Sequence, residues 1–302
     1  MNAQATGNAA IKTRYLTVKV GGLDIFYREA GPKDAPTILL LHGFPTSSHM
    51  FRGLIPLLAD RFHVVAPDYP GFGYSSTPSV EQFDYTFDHL ADIMEQFTDA
   101  IGLDNYALYL QDFGGPVGFR LLLRRPDRLR ALILQNANAY SEGVTPELHA
   151  VLVRLATERT PEMRQKAAAL FELPYTKRQY LEGVEDPSLV DPDAWQHAQW
   201  GMDRPGNKDI QYALHSNYAS NFGRYDEWHA CFRRYQPPTL VLWGAGDFVF
   251  GVPGAEAYRK DLTTIEVHIL RGAGHFALET HSREIAQQMV FFADSGALRD
   301  GL

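Results

Sequence analysis

The stretch Tyr109-Leu110-Gln111-Asp112-Phe113-Gly114-Gly115-Pro116 places a single carboxylate between a predicted strand and a predicted helix. The apolar run 106–110 is typical of a buried strand, and the apolar spacing of 117–123 is typical of a helix. Pro116 is compatible with the first turn of such a helix. We therefore predict a tight turn that presents the Asp112 side chain above a sheet, with the two glycines leaving room for neighbouring backbone.

The residue at the apex of this turn determines its chemistry. A serine there would need a neighbouring base before it could act as a nucleophile, whereas the Asp112 carboxylate is ionised at neutral pH. Asp112 is therefore a candidate nucleophile. A lone aspartate in a turn is more often a cap or a turn former, so the assignment depends on what lies at the other strand ends.

The composition indicates one large α/β core with room for an insertion, because a chain of 302 residues with 45% hydrophobic content can bury a sizeable interior. The formal net charge of -8 argues against nucleic acid as a partner. Basic residues cluster once, and we expect the cluster to cover the exposed end of one helix: Arg120, Arg124, Arg125, Arg128 and Arg130.

Cysteine content and the first residues bear on the compartment. The single cysteine, Cys231, leaves no disulfide framework, which suits a reducing environment. Residues 1–10 are small and polar and lack the apolar segment of a signal peptide. We therefore expect a loose tail, no membrane span and a cytoplasmic location.

The chain alternates predicted strands and helices in the manner of a parallel sheet. The predicted strands are 14–20, 23–29, 37–41, 62–66, 106–110, 129–134, 239–243 and 265–270, with Gly21-Gly22 joining the first two as a hairpin. Helical spacing occurs in 87–101 and 281–292. The predicted fold class is therefore α/β, with a mostly parallel sheet, right-handed crossovers and helices on both faces.

The segment 137–236 differs from the rest, because its pattern consists of helices without an identifiable strand. Strand patterns resume after it, so the segment interrupts one sheet. We interpret 137–236 as a helical cap domain inserted into a core domain that comprises 1–136 and 237–302.

Polar residues at the carboxyl ends of parallel strands face one crevice, where open α/β sheets bind ligands. Asp112, Asp247 and His275 each follow a predicted strand, and their order along the chain is nucleophile, acid, histidine. A histidine after the last strand can approach the apex carboxylate while an acid after the preceding strand holds its ring. Asp247 alone could be a turn residue and His275 alone an ordinary buried histidine, but their joint placement favours a catalytic triad.

Five motifs resemble the α/β-hydrolase superfamily, and specifically its aspartate-nucleophile branch of soluble epoxide hydrolases and haloalkane dehalogenases. They are Leu41-His42-Gly43-Phe44-Pro45, Asp68-Tyr69-Pro70-Gly71-Phe72-Gly73-Tyr74-Ser75, Gln111-Asp112-Phe113-Gly114-Gly115, Trp243-Gly244-Ala245-Gly246-Asp247 and Gly274-His275-Phe276. The resemblance covers residues 37–135 and 238–292. It implies an α/β-hydrolase fold with an inserted cap.

The resemblance also implies roles for individual residues. Asp112 would attack a carbon and form an alkyl ester, and His275, oriented by Asp247, would activate the water that hydrolyses it. The backbone N–H groups of Phe44 and Phe113 match the family's oxyanion hole, and Pro45 matches a cis proline. Displacement at saturated carbon makes epoxides and alkyl halides the candidate substrates.

A departing halide needs N–H donors around it. In the haloalkane dehalogenases that the chain resembles, these donors are a Trp after the nucleophile and either an Asn after His-Gly or a second Trp in the cap. This chain has Phe113 and Phe44 at the two core positions, and neither side chain can donate a hydrogen bond. One donor could come from a cap tryptophan, although such residues more often pack in a helical core; the candidates are Trp195, Trp200 and Trp228. Haloacetate dehalogenases have arginines after the nucleophile, and here Phe113-Gly114-Gly115-Pro116 stands in their place.

An epoxide oxygen leaves as a tethered alkoxide that a phenol can protonate. The segment 216–221 is similar to the tyrosine-bearing cap helix of epoxide hydrolases, which makes Tyr218 the candidate proton donor, with interface packing as its alternative role. A second cap tyrosine has no clean match, so the candidates for substrate binding are Tyr140, Tyr175, Tyr180 and Trp195. Gln111 departs from the His usual in epoxide hydrolases and resembles some dehalogenases instead.

The favoured function is therefore hydrolysis of epoxides to vicinal diols, with haloalkane or haloacid dehalogenation as the first alternative. An ester or lactone hydrolase and a non-catalytic small-molecule receptor of the same fold are further alternatives. The histidines show no ligand cluster with nearby Cys or acid, so we expect neither a metal nor an organic cofactor. The expected partner is a small apolar substrate with an electrophilic carbon, and the expected state is a monomer or homodimer.

Overall fold

The computed structural model describes residues 12–158 and 160–298. Its strands are β1 (Arg14–Val20), β2 (Leu23–Ala30), β3 (Thr37–Leu41), β4 (His63–Pro67), β5 (Tyr106–Gln111), β6 (Leu129–Gln135), β7 (Thr239–Gly244) and β8 (Ile265–Leu270). They form one sheet in the order β1-β2-β4-β3-β5-β6-β7-β8. The predicted tail over residues 1–10 lies outside the described residues.

The helices of the core are α1 (Ile55–Leu58), α2 (Phe87–Ala100) and α3 (Gly114–Arg124). Those between β6 and β7 are α4 (Pro146–Thr157), α5 (Pro161–Ala168), α6 (Leu173–Leu181), α7 (Pro192–Met202), α8 (Asn207–Asn217) and α9 (Tyr225–Tyr235). After β7 follow α10 (Val252–Ala257) and α11 (Leu278–Phe292). The last helix begins three residues earlier than predicted, and His281 has non-helical dihedral angles within it.

The strand pairing explains the mixed sheet. β1 and β2 form the predicted antiparallel hairpin, and β2 pairs antiparallel with β4. From β4 to β8 every neighbouring pair is parallel. Gly21 and Gly22 both have positive φ, which a two-residue hairpin turn of this hand requires. The predicted α/β class with a mostly parallel sheet is confirmed.

Helices cover both faces of the sheet, because successive side chains of a buried strand point to opposite sides. Leu39 and Leu41 of β3 belong to one hydrophobic cluster together with residues of α2 and α3. Ile38 and Leu40 belong to a second cluster together with residues of α1 and α11. A strand that is apolar at every position is thus buried on both faces.

The chain between β6 and β7 forms the inserted helical cap, and its described residues contain no strand. The joint between cap and core is aromatic. Trp228 of α9 is buried against Phe119 of α3, with ring centroids 5.0 Å apart. No helix in the described part of the chain is both long and apolar enough to cross a membrane.

The structure corrects the prediction that the arginine cluster covers an exposed helix end. Arg120 is not at an exposed helix end but buried, where it donates to Asp88 Oδ1 at 3.0 Å and to Asn221 Oδ1 at 2.9 Å. Arg128 is also buried and forms an ion pair with Asp99 at 2.6 Å. The cluster therefore joins elements of the fold, since its carboxylate and amide partners come from distant parts of the chain.

Candidate active site

The predicted turn lies between the end of β5 and the start of α3, and it places Asp112 in a left-handed backbone conformation with φ of +48°. Such a conformation is costly for a residue with a side chain and persists where the surroundings hold it. Here the backbone N–H of Asp112 donates to the carbonyl of Asn136 at 3.2 Å, and its carbonyl accepts from the N–H of Gly115 at 2.9 Å. The turn is thereby held between β6 and α3.

A glycine opposite the turn gives the Asp112 side chain its space. A Cβ atom at Gly43 would lie 2.3 Å from the Cβ of Asp112 and 2.4 Å from its Oδ1. No side chain fits at position 43 without displacing the carboxylate. The His-Gly-Phe-Pro turn after β3 therefore approaches Asp112 through bare backbone.

Two backbone N–H groups bind the Asp112 carboxylate. The N–H of Phe44 donates to Oδ1 at 2.6 Å, and the backbone of Phe113 acts as a second donor that lowers the pKa of Asp112. The peptide bond between Phe44 and Pro45 is cis, as predicted. Because both donors bind the Asp112 carboxylate, they could stabilise an oxyanion formed on its carboxyl carbon.

The histidine and the second acid meet the nucleophile candidate at the strand ends. His275 is fully buried, and its Nδ1 lies 2.9 Å from Oδ2 of Asp247. On the other side of the ring, Nε2 lies 3.8 Å from Oδ2 of Asp112. The structure therefore brings Asp112, His275 and Asp247 together in the order that the sequence predicts.

The pKa values of the nucleophile and the base both shift upward. Burial raises the pKa of Asp112, and His275 with the two backbone donors opposes that shift. Burial disfavours the charged form of His275, but the carboxylates of Asp247 and Asp112 outweigh it and raise its pKa. The two carboxylates beside the ring therefore stabilise the protonated form of His275.

Buried carboxamides surround this triad, and sequence reasoning assigned them no role. Asn136 donates from Nδ2 to Asp247 Oδ2 at 2.7 Å, and its Oδ1 accepts from the N–H of Gly244 at 3.0 Å. Gln135 donates from Nε2 to the His275 carbonyl at 3.0 Å. Gln111 Nε2 lies 3.2 Å from His275 Nε2. These carboxamides stand at the ends of strands, as Asp247 does, and that position is the sequence feature that could have identified them.

A cavity of about 80 Å³ opens above Asp112 under the cap. Its walls are mostly apolar. It is lined by Phe44, Asp112, Phe113, Leu148, Val151, Leu152, Leu155, Leu170, Tyr175, Gln179, His215, Tyr218, Val249 and Phe250. The predicted Tyr218 and Tyr175 lie in this cavity. Gln179 and His215 are polar lining residues that the sequence analysis missed, because no cap pattern separates a cavity-facing helix position from a packed one.

The two cavity tyrosines keep their protons. Burial, with the nearby Tyr225 and Asp112, raises the pKa of Tyr218 well above its ordinary value. Burial also raises the pKa of Tyr175, and the negative charge of Asp112 adds to that shift. Both phenols are therefore hydrogen-bond donors close to the carboxylate.

Three of the predicted substrate-binding residues lie elsewhere. The Tyr140 hydroxyl donates to Asp261 Oδ2 at 2.8 Å, outside the cavity. Tyr180 stacks on Phe276 with ring centroids 4.0 Å apart. Trp195 packs in the second hydrophobic cluster, under Lys177. The structure therefore does not bring these three predicted residues to the Asp112 cavity, and each contacts neighbouring side chains of the cap or core instead.

The other two cap tryptophans also lie outside the cavity. Trp228 is buried in the joint with α3, and Trp200 is 48% exposed beside Tyr74. No tryptophan N–H therefore reaches Asp112 among the described residues that line its cavity. Within residues 12–158 and 160–298, no group of three or more His, Cys, Asp or Glu side chains is arranged to hold a metal ion.

The chain is similar to known proteins over most of its length. The family described as alpha/beta hydrolase fold matches residues 36–282. The chain is 42% identical to an uncharacterized hydrolase of Saccharomyces cerevisiae over 278 residues, which cover 91% of this chain and 95% of the relative. It is 30% identical to a haloalkane dehalogenase of Psychrobacter cryohalolentis, covering 89% of this chain and 87% of the relative. It is 27% identical to epoxide hydrolase 3 of Mus musculus, covering 91% and 75%. The chain therefore belongs to the α/β-hydrolase family, and it is a hydrolase of that fold.

Proposed function

We propose that the protein hydrolyses epoxides to vicinal diols through an ester formed on Asp112. The observation that carries the proposal is the cavity itself, because the Asp112 carboxylate and the phenols of Tyr218 and Tyr175 line one cavity whose other walls are mostly apolar. In this proposal residues 137–236 form the cap domain, and residues 1–136 with 237–302 form the core domain.

The first step is ring opening. Phe44 holds Oδ1 of Asp112, so the oxygen available for attack is Oδ2. Oδ2 forms a bond to a ring carbon, the carbon–oxygen bond breaks, and its electron pair stays on the epoxide oxygen. Tyr218 gives its proton to that alkoxide and becomes a tyrosinate, which yields a hydroxyalkyl ester of Asp112.

The second step is hydrolysis of the ester. His275 Nε2 takes a proton from water, and the hydroxide adds to the Asp112 carboxyl carbon. The Phe44 and Phe113 amides stabilise the resulting oxyanion; one such donor typically contributes about 3 kcal/mol. The departing alkoxide takes the proton from His275, and the regenerated Asp112 carboxyl releases a proton that restores the tyrosinate through solvent. The sum is epoxide plus water giving diol.

The leaving group distinguishes this proposal from dehalogenation. A phenol beside the nucleophile can protonate an alkoxide, whereas a halide needs no proton and is held by N–H donors. The aromatic side chains of Phe44 and Phe113 offer no such donor. Dehalogenation is the second candidate, because the relative that is 30% identical over most of the chain is a haloalkane dehalogenase.

A substrate panel tests the proposal. Purified protein is given racemic epoxides, short alkyl halides and activated esters, and the released diol, halide or acid is measured. We expect diol release, its loss in Asp112→Asn, and in His275→Gln an Asp112 peptide that carries the added mass of the epoxide. Halide release alone would assign the protein to the dehalogenases, and acid release without an adduct would assign it to the ester or lactone hydrolases. Ligand binding without any Asp112 adduct would indicate a receptor.

A further inference from the structure

One polar side chain of the Asp112 cavity has an amide nitrogen without a hydrogen-bond partner among residues 12–158 and 160–298. Gln179 on α6 lines the cavity that contains Asp112, and its side chain is 3% exposed. Its Nε2 is buried and forms no hydrogen bond with the rest of the described chain. Most buried polar groups in proteins are paired, and an unpaired amide nitrogen costs free energy.

The helix places this amide beside a tyrosine of the same cavity. Tyr175 and Gln179 are four residues apart on α6, so they occupy one face of the helix. The neighbouring residues face other parts of the fold, since Thr176 donates to Gln199 at 2.7 Å and Tyr180 stacks on Phe276. Leucines and Val151 also line the cavity, and their side chains offer the amide no acceptor.

The remaining nitrogen-containing side chain in the cavity cannot take the same role. Nδ1 of His215 lies 2.8 Å from the Gln211 carbonyl, so in the neutral ring Nδ1 carries the proton and Nε2 is an acceptor. Burial lowers the pKa of His215 to about 4, which keeps the ring neutral at ordinary pH. Among the described residues that line the cavity, Gln179 therefore supplies the side-chain N–H donor.

We propose that Gln179 donates a hydrogen bond to the oxygen that leaves carbon when Asp112 attacks, and so stabilises the negative charge that develops on that oxygen. This inference rests on the proposed function. Tyr218 transfers the proton and Gln179 holds the oxygen while its negative charge develops. The amide gives up no proton in the step, so the proton balance of ring opening is unchanged.

The test separates ring opening from ester hydrolysis. Rapid quenching and mass spectrometry of a single turnover with a terminal alkyl epoxide give the rates at which the Asp112 ester forms and decays. In Gln179→Met, which keeps the length of the side chain and removes the donor, ester formation should slow by about 10- to 100-fold, the loss expected for a hydrogen bond to a charged group. The decay rate should stay within about twofold of the wild type, since the leaving oxygen is already protonated in the ester.

Two further variants make the result specific. Gln179→Glu keeps the shape and places an acceptor where a donor is needed, so it should slow ester formation at least as much and gives a result even if the Met variant does not fold. Gln211→Met is the matched control, because Gln211 is a buried cap glutamine outside the Asp112 cavity. It should leave both rates unchanged.

The outcomes that overturn the inference are distinct from those that overturn the function. Ester formation in Gln179→Met within twofold of wild type, or a higher KM with an unchanged rate of ester formation, would refute the donor role of Gln179. A larger loss with an alkyl chloride than with the epoxide would refute its assignment to oxygen. Absence of an ester in the wild type with every epoxide would instead refute the proposed function.

Discussion

The side-chain nitrogen Nε2 of Gln111 lies 3.2 Å from Nε2 of His275, closer than the Asp112 oxygen at 3.8 Å from the same nitrogen. Because Asp247 accepts from the ring on its Nδ1 side, the neutral imidazole has its lone pair on Nε2 and Gln111 donates to it. The Gln111 Oε1 atom is buried without a hydrogen-bond partner in the described part of the chain. Residue 111 therefore contacts the nitrogen that must accept a proton from water.

A carboxylate at position 111 should impair the base. In Gln111→Glu a negative charge adjacent to Nε2 stabilises the imidazolium and raises the pKa of His275 further. The rate of ester hydrolysis, measured against pH in single turnovers, should therefore lose its plateau at neutral pH and recover only at higher pH.

The neutral variant Gln111→Met is the control for the charge. It removes the hydrogen bond without adding a carboxylate, so its pH profile should lie much nearer to that of the wild type. If the pH profile of ester hydrolysis moved to higher pH equally in both variants, loss of the carboxamide, and not the added charge, would determine the pKa of His275.

The pH dependence of the wild type should differ between the two steps. Hydrolysis needs neutral His275, and the Asp247 carboxylate raises the pKa of this imidazole, so this step should be lost as the pH falls through the pKa of His275. Ring opening needs ionised Asp112, and the positive charge that His275 gains at low pH lowers the pKa of that carboxyl. Ring opening should therefore persist to lower pH than hydrolysis.

The ester on Asp112 should consequently accumulate on the acid side of the hydrolysis profile. Mass spectrometry of protein quenched during turnover across a pH series measures its occupancy. A hydrolysis rate that stays at its maximum across the whole acid range would contradict the need for neutral His275.

Gly43→Ala should remove activity by displacing the nucleophile. The new Cβ would overlap the Asp112 side chain, which lies 2.3 Å from that position, so the carboxylate must leave the Phe44 N–H. Misplacement of a reacting group by about 1 Å can cost about 100-fold in rate, and we expect at least that loss in ester formation.

Gly53→Ala is the matched control for this substitution. A Cβ atom at Gly53 would meet only the Ser282 hydroxyl oxygen, at 3.9 Å. Circular dichroism and thermal melting establish that both variants are folded. If folded Gly43→Ala formed the ester at the wild-type rate, the present position of the Asp112 carboxylate would not be required for ester formation.

Trp228→Ala should destabilise the joint between cap and core. Trp228 is buried between Phe119 and Tyr225, with ring centroids 5.0 and 5.5 Å away. Removing a buried aromatic side chain costs about 3 to 5 kcal/mol in the free energy of unfolding. Urea denaturation should show this loss, whereas Trp200→Ala, at a half-exposed position, should change the free energy by about 0.5 kcal/mol or less. Similar losses in both would mean that Trp200 is buried in solution.

Local patterns in the chain predict the sheet and the triad positions well. A run such as Ile38 to Leu41 is apolar at every position because both faces of β3 are covered, and the turn that follows such a strand must present its side chains at the sheet edge. Asp112, Asp247 and His275 could therefore be placed from strand ends alone. Charge was a poorer guide, because Arg120 finds its partners Asp88 and Asn221 in segments distant along the chain.

The sequence by itself determined the α/β core, the inserted helices and the residues at the strand ends, since strand period and turn chemistry are local properties. Only the tertiary structure decided which cap side chains face the nucleophile. Cap helices pack on the core and on one another, so the sequence does not show which cap tyrosine faces the cavity. Tyr175 lines the cavity, whereas Tyr180 packs on Phe276. The orientation of α6 over the sheet makes that choice, and it places Gln179 in the cavity that Asp112 lines.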